Sequence, residues 1–312
     1  QRGVRRVLPA LVEGTRLSIG PEAAVRTIVP PRPRAMRGGS PLEWALMNLA
    51  FLLVAVFFLA PFVWLFTAAF DAQAPAYIRW PNQLTVDNFV AIFQRYAFAT
   101  ALGNSLFVAG STMLLTIVVV SLAGYSLSRI ELRHKAWITY AVLLLQTMPL
   151  SATMVPIYGL ARELGLRNSY LGLILIHSAI ELPFLIWLMK GFFDSVPRHL
   201  EEAAWLDGRT KLRALFEIVL PVARPGIAVA AGLSFLSAWA EVLMVLILVD
   251  QQSMKTVPLA FYETFRTAGG YTEVQYGVVA AMGVLYVLPV MAVFFATRRL
   301  MVRGLIGTTR GL

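Results

Sequence analysis

The sequence predicts an all-α integral membrane protein with six transmembrane helices and both termini on the cytoplasmic side. Three observations carry that prediction. Of 312 residues, 58% are hydrophobic and only 14% charged, far outside the range of soluble domains. Charges cut the chain into six apolar stretches, each with the roughly 20 residues that a bilayer-crossing helix needs. Of the 27 Lys and Arg, 21 fall in segments that share one side once the N-terminus is placed inside, which is a strong positive-inside bias. Alternating barrel-type segments are absent, so the backbone is satisfied within helices.

The six stretches are Leu49 to Phe70, Tyr96 to Ser128, Ala136 to Ala161, Asn168 to Met189, Pro225 to Val249 and Val274 to Thr297. Ahead of them, residues 1–40 carry eight arginines and the Pro30-Pro31-Arg32-Pro33-Arg34 stretch, which reads as a basic cytoplasmic tail with a short helix near its start. No apolar core with a small-residue cleavage site precedes the first span, so a cleaved secretory signal is not expected. The first span contains Pro61, which is expected to bend it. Residues 71–95 follow as a polar external loop, in which Thr85-Val86-Asp87-Asn88-Phe89 reads as a cap leading into a short surface helix.

In the second span Gly103, Gly110 and Gly124 are expected to let helices approach, and Asn104-Ser105 to hydrogen-bond across the contact or line a pathway. The third span is expected to break twice, at Met148-Pro149 and Val155-Pro156, where freed backbone groups need protein or water partners. In the fourth, His177 and Glu181 lie four apart on one helical face. An ionisable group at membrane depth suggests function, and a His-Glu pair that satisfies itself is the competing reading. The fifth holds Trp239 and Glu241, a pair suited to stacking on a sugar ring and accepting from its hydroxyls, or to serving as an interfacial anchor with a solvated carboxylate.

The net charge of +10 needs no nucleic-acid partner, because basic loops beside an anionic lipid leaflet account for it. The chain has no cysteine, which excludes disulfides and thiol chemistry. His134, His177 and His199 lack ligand spacing, so no metal site is expected. None of the four lysines follows a glycine, so the chain lacks a phosphate-binding P-loop. No nucleophile-base pair stands out, and no enzymatic activity is expected of this chain.

Between Lys190 and Arg224 the inner loop is too regular for an idle connector. Pro197 suits the first turn of a helix, Arg198 to Leu206 are good helix formers, and Asp207-Gly208 supplies a turn. Thr210 is placed to cap a second short helix ending before Pro221. Ala203 and Ala204 keep one side of the first helix thin enough for a groove on another protein, while Glu201 and Glu202 offer charge to basic groups there. A helix resting on lipid headgroups is the bland alternative, and paired glutamates near an anionic leaflet weigh against it.

The spacing Glu202-Ala203-Ala204, three residues, Gly208, nine residues, Ile218-x-Leu220-Pro221 resembles the EAA loop of type I ATP-binding-cassette importer permeases. Asn104-Ser105-Leu106, Met148-Pro149 with Pro156 and Tyr158, Leu164-Gly165-Leu166 with Asn168-Ser169 and Gly172, and Trp239-x-Glu241 are similar to the carbohydrate-uptake branch, in particular to the smaller maltose-type permease subunit. The resemblance covers about residues 42–312. Arg209 departs from the Ala common there, and Ala240 from the Asn common between the Trp and the acidic residue.

The resemblance implies the type I importer transmembrane fold. It divides the chain into a basic tail (1–40), a first helix with its external loop (41–95), a five-helix core (96–300) holding a coupling loop (194–224), and a cytoplasmic tail (301–312). It further implies ATP-driven import of a sugar, oligosaccharide or polyol across a bacterial or archaeal inner membrane, by alternating access. The implied partners are a second permease, two ATPase subunits carrying ATP and Mg, an external solute-binding protein and membrane lipid. Glu201, Glu202, Ala203, Ala204, Asp207, Gly208, Ile218, Leu220 and Pro221 would contact the ATPase, with Leu200 to Gly208 making most of the contact. Asn104, Pro149, His177, Glu181, Trp239 and Glu241 are the pathway candidates. A type I importer of a non-sugar solute is the first alternative. An ion-coupled secondary transporter is the second, although it would be expected to show inverted repeats and none is visible.

Overall fold

The computed structural model describes residues 40–95, 97–131, 133–268 and 274–309. Apart from Ser40, the predicted basic tail lies outside them. The regular elements among these residues are all helical, apart from one isolated antiparallel bridge between Asp71 and Leu84. The described residues divide into two units, one ending at Phe57 and the other beginning at Phe58.

Helix α1 (Pro41–Ala69) starts eight residues before the predicted boundary. The reason is local: the Glu43 N–H donates to Ser40 Oγ (3.2 Å) and the Ser40 N–H to Glu43 Oε2 (3.0 Å), a capping box with Pro41 at the first helical position. Pro61 lies inside α1 without ending it. Beyond α1, Asn88 at the start of α2 (Asp87–Arg95) donates to the carbonyls of Ala69 and Asp71, each at 3.0 Å. Thr85 Oγ1 accepts from the Asp87 N–H (3.0 Å), which is the predicted cap.

Asp71 is buried and accepts from Arg79 Nη2 at 2.9 Å. Burial pushes its carboxyl up, but the Gln73 N–H and the Arg79 guanidinium outweigh that and hold it below the usual carboxylate range. A depressed native pKa gives stability that is present above the unfolded value, about 3.9, and lost as pH falls through the native one. Hydrogen exchange over residues 71–84 is therefore expected to quicken in acid, and Asp71→Asn to abolish that acid dependence. An unchanged acid response in Asp71→Asn would refute the assignment.

The core is built from α3 (Phe98–Arg129), α6 (Tyr170–Asp194), α10 (Arg224–Ala240) and α13 (Tyr276–Thr309), with α3 packed on α6 and α10, and α10 on α6 and α13. Of the three glycines expected to bring helices together, only Gly124 does so: a Cβ there would sit 3.0 Å from Met189 Cβ and 3.1 Å from the Lys190 nitrogen on α6. Gly103 and Gly110 face open space.

The third apolar stretch is two helices, α4 (Lys135–Leu145) and α5 (Leu150–Glu163), bent by 89°. Pro149, extended at ψ 133°, makes that break. The second expected break does not occur. Pro156 sits inside α5, where losing one backbone bond is tolerated by a helix otherwise supported by its neighbours.

The fifth stretch, expected as one helix, is interrupted: α10 stops at Ala240, Glu241 is extended at ψ 123°, and α11 (Leu243–Leu248) follows after Val242. Glu241 Oε1 accepts from the Met244 N–H (3.1 Å) and so caps α11 in place of the helical ladder. Between α6 and α10 lie α7 (His199–Leu206), α8 (Lys211–Ala214), a π-turn (Leu215–Val219) and α9 (Leu220–Val222). A short 3₁₀ turn (Gln252–Met254) and α12 (Val257–Ala268) precede α13, which runs helically through most of the predicted C-terminal tail.

Among the described residues α1, α3, α6 and α13 are each long and apolar enough to cross a membrane. The bent pairs α4 with α5, and α8–α9 with α10 at 81°, bring the count to as many as six.

Candidate functional site

The segment from α6 to α10 forms an elbow whose turn is fixed locally. Helix α7 closes with the Gly208 N–H donating to the Trp205 carbonyl and the Arg209 N–H to the Ala204 carbonyl, both at 3.0 Å, which is a Schellman arrangement. Gly208 has φ +81°, a conformation open to glycine and strained for other residues. Thr210 Oγ1 then accepts from the Arg213 N–H (3.3 Å) as the predicted cap of α8. The helical path does not end before Pro221, as expected, but continues to Val222. A wider π-turn, with the Leu220 N–H on the Leu215 carbonyl, leads into Pro221, which has no N–H to offer the ladder. Arg209 and Arg213 both donate to Glu217, so the departure at Arg209 serves to brace the elbow.

One sequence expectation is corrected here. Glu201 does not face outward with Glu202; it is 1% exposed and turned toward the bundle. Arg129 Nε donates to Glu201 Oε1 at 2.5 Å and the Tyr125 hydroxyl to Oε2 at 2.7 Å, both from the C-terminal end of α3. Arg129 Nη2 also reaches the Val196 carbonyl (3.0 Å), and Ser128 Oγ donates to Asp194 at the end of α6 (2.6 Å). A charge taken out of water demands such a partner, so Glu201 ties α7 to α3 and is not available to another protein. Tyr125 and Arg129 were not read as site residues. Their only sequence signal is a spacing of four at the end of an apolar stretch.

Ala204 is likewise buried beneath α7. Glu202, Ala203, Asp207 and Gly208 are exposed, while Ile218, Leu220 and Pro221 are half-buried. Around them Leu206 is 90% exposed, with Trp205, Leu212 and Phe216 also exposed, so the outer face of the elbow mixes charge with apolar side chains.

The pathway candidates separate. Asn104 is buried and internally satisfied, with Nδ2 donating to the carbonyls of Ser253 (2.8 Å) and Lys255 (2.9 Å) and Oδ1 accepting from the Tyr170 hydroxyl (2.7 Å). It braces the segment before α12, which is the hydrogen bonding across a contact expected of it. Asn104→Leu is expected to cost roughly 2–4 kcal/mol by orphaning those groups. Protein yield should fall while activity per folded molecule holds; loss of activity at normal yield would restore the pathway reading.

Trp239 is 1% exposed and sandwiched by Phe235 (5.7 Å between centroids) and Tyr286 (5.6 Å), so its faces are not free to stack on a sugar. Glu241 is half-buried and holds the α11 cap. Pro149 is exposed at its break. His177 and Glu181 are both buried, yet they neither pair nor find other hydrogen-bond partners through His177 Nε2 or the two Glu181 oxygens. The self-satisfied pair is thus not formed. Glu181 lines a cavity of about 210 Å³ together with Gln146 and Ser237, two residues the sequence did not single out.

A family profile described as the inner membrane component of binding-protein-dependent transport systems matches residues 121–307. The chain is 31% identical over 251 residues to the sulfoquinovosyl glycerol transport system permease protein of Agrobacterium fabrum, covering 79% of this chain and 87% of that one. It is 30% identical to the trehalose transport system permease protein of Mycobacterium tuberculosis, covering 84% and 94%. Among solved structures, a bacterial ABC transporter involved in import of the acidic polysaccharide alginate shares the fold with a TM-score of 0.71 at 20% identity, over 86% of this chain and 99% of that one.

Proposed function

The chain belongs to the inner membrane components of binding-protein-dependent transport systems, and on that premise we propose that it is the permease subunit of an ATP-driven importer of carbohydrate. Relatives named for trehalose, maltodextrin and diacetylchitobiose uptake support the solute class. In this reading six spans cross the inner membrane with both termini inside, the third as the bent α4–α5 pair. The elbow then lies on the face that carries 21 of the 27 basic residues. ATP and Mg belong to separate ATPase subunits, in keeping with the missing P-loop. A second permease completes the pathway, and an external binding protein delivers the sugar.

The observation that carries the reading is the elbow itself: the EAA spacing folded into a glycine-turned pair of helices with an exposed, mixed face. Closure of the ATPases would push α7. Because Glu201 is held by Arg129 and Tyr125, that push passes into α3, while Ser128 and Asp194 carry it to α6. Rigid-body rotation of the bundle then switches access from one side to the other.

Purification from native membranes in mild detergent, with mass spectrometry of what accompanies the chain, tests the proposal. A second permease and an ATPase are the expected companions. Recovery of the chain alone, active with an ion gradient and no ATP, would overturn it.

A further inference from the structure

Glu181 is the one charged side chain in α6 at mid-span, twelfth of 25 residues, and it is placed where a charge is costly. It is 8% exposed, and no hydrogen bond of good geometry reaches either carboxylate oxygen, although the Ser234 and Ser237 hydroxyls of α10 stand beside it. A buried carboxylate met only by loosely placed hydroxyls keeps acceptor capacity for a further donor.

What surrounds it is specific. The carboxylate opens into the cavity of about 210 Å³ between α6, α10 and the Gln146 break after α4, whose polar lining is the Gln146 amide and the Ser237 hydroxyl and whose remaining wall is Phe184, Leu185 and Leu233. Ser234, buried on α10, also stands beside the carboxylate. Carboxylate, amide and hydroxyl converging beside an aromatic wall make a polyol site: two acceptors for ring hydroxyls, a two-way amide, and a surface for C–H groups. The volume is below the roughly 300 Å³ at which drug-sized ligand sites begin, so it fits one ring and not a whole oligosaccharide. The sign of the charge also selects. When ionised, Glu181 in a low-dielectric wall repels a uronate or sulfonate, and in either protonation form it accepts from an uncharged sugar.

Resting on the importer reading above, we propose that Glu181, Gln146 and Ser237 form a subsite on this subunit for one ring of an uncharged sugar, and that Glu181 excludes acidic sugars from it.

The absence of cysteine in the chain provides a direct test. Ser237→Cys, and separately Gln146→Cys, would be made in the complete assembly with cysteine-free partner subunits. Labelling by a small thiol reagent would be followed during turnover with trehalose, maltotriose or diacetylchitobiose, and with glucuronate-containing oligosaccharides. Transported neutral sugars should slow labelling at both positions several-fold, and acidic sugars should not. Adding Glu181→Gln should weaken neutral-sugar protection about tenfold, as expected for loss of hydrogen bonds to a charged group, and should let acidic sugars protect. Uptake that proceeds with labelling unaffected by any sugar would overturn the subsite while leaving the importer reading intact. Equal protection by acidic and neutral sugars in the unaltered Glu181 background would overturn the charge selection. Absence of ATP-dependent uptake of any sugar by the assembly would instead overturn the importer reading on which the subsite depends.

Discussion

Gly208→Val is expected to leave the protein inserted and assembled in the membrane while reducing solute uptake tenfold or more and removing solute stimulation of ATP hydrolysis. The space around Gly208 is open, with nothing within 4 Å of a built Cβ, so the effect does not come from a clash. It comes from φ +81°: a β-branched residue held there costs about 1–3 kcal/mol, and the chain relieves that by abandoning the turn. The Trp205–Gly208 and Ala204–Arg209 bonds that close α7 would go with it, and α7 would no longer present its outer face at a fixed angle to α8. Gly208→Ala, with a smaller penalty, should fall between the two. Uptake and ATPase activity measured together in proteoliposomes decide the matter; normal coupling in Gly208→Val would show that the elbow's shape is not what the ATPases grip.

Arg129→Ala is expected to destabilise the chain by about 3–5 kcal/mol, because it leaves Glu201 buried with its charge uncompensated. The Tyr125 hydroxyl alone does not replace the lost guanidinium. Replacing both partners separates stability from coupling. Arg129→Met with Glu201→Leu puts apolar groups of similar volume in the same space and should recover most of the stability. It should not recover coupling, since an apolar contact lets α7 slide on α3 where two directed hydrogen bonds to Glu201 hold it. Thermal unfolding in detergent gives the first quantity and sugar imported per ATP the second. A double variant as unstable as Arg129→Ala, or one fully coupled, would contradict the role assigned to the lock.

What could be read in advance follows from the range of the interactions involved. The Ser40–Glu43 box, the Thr85 and Thr210 caps, the Pro149 break and the Gly208 turn are each written within a few residues, and all but the first were anticipated at their positions. The contacts that local sequence does not show share a different property. Glu201 and Arg129 are 72 positions apart, and Asn104 finds its acceptors 149 and 151 positions away. In a soluble helix the polar stripe would have shown which face turns outward, but α3, α6 and α10 are apolar nearly all round, so periodicity gives no inward direction.

The sequence by itself therefore determined that this chain lives in a membrane, how many apolar stretches it has, and where the loop between α6 and α10 turns. Lipid selects on local length and hydrophobicity, and a turn selects on local dihedrals. The tertiary structure alone decided that Glu201 locks inward, that Trp239 is walled in by Phe235 and Tyr286, that Asn104 braces the segment before α12, and that Glu181 opens on a cavity with Gln146 and Ser237. Those outcomes depend on which helix lies opposite, and in an apolar bundle that is settled by close packing at points such as Gly124 against Met189.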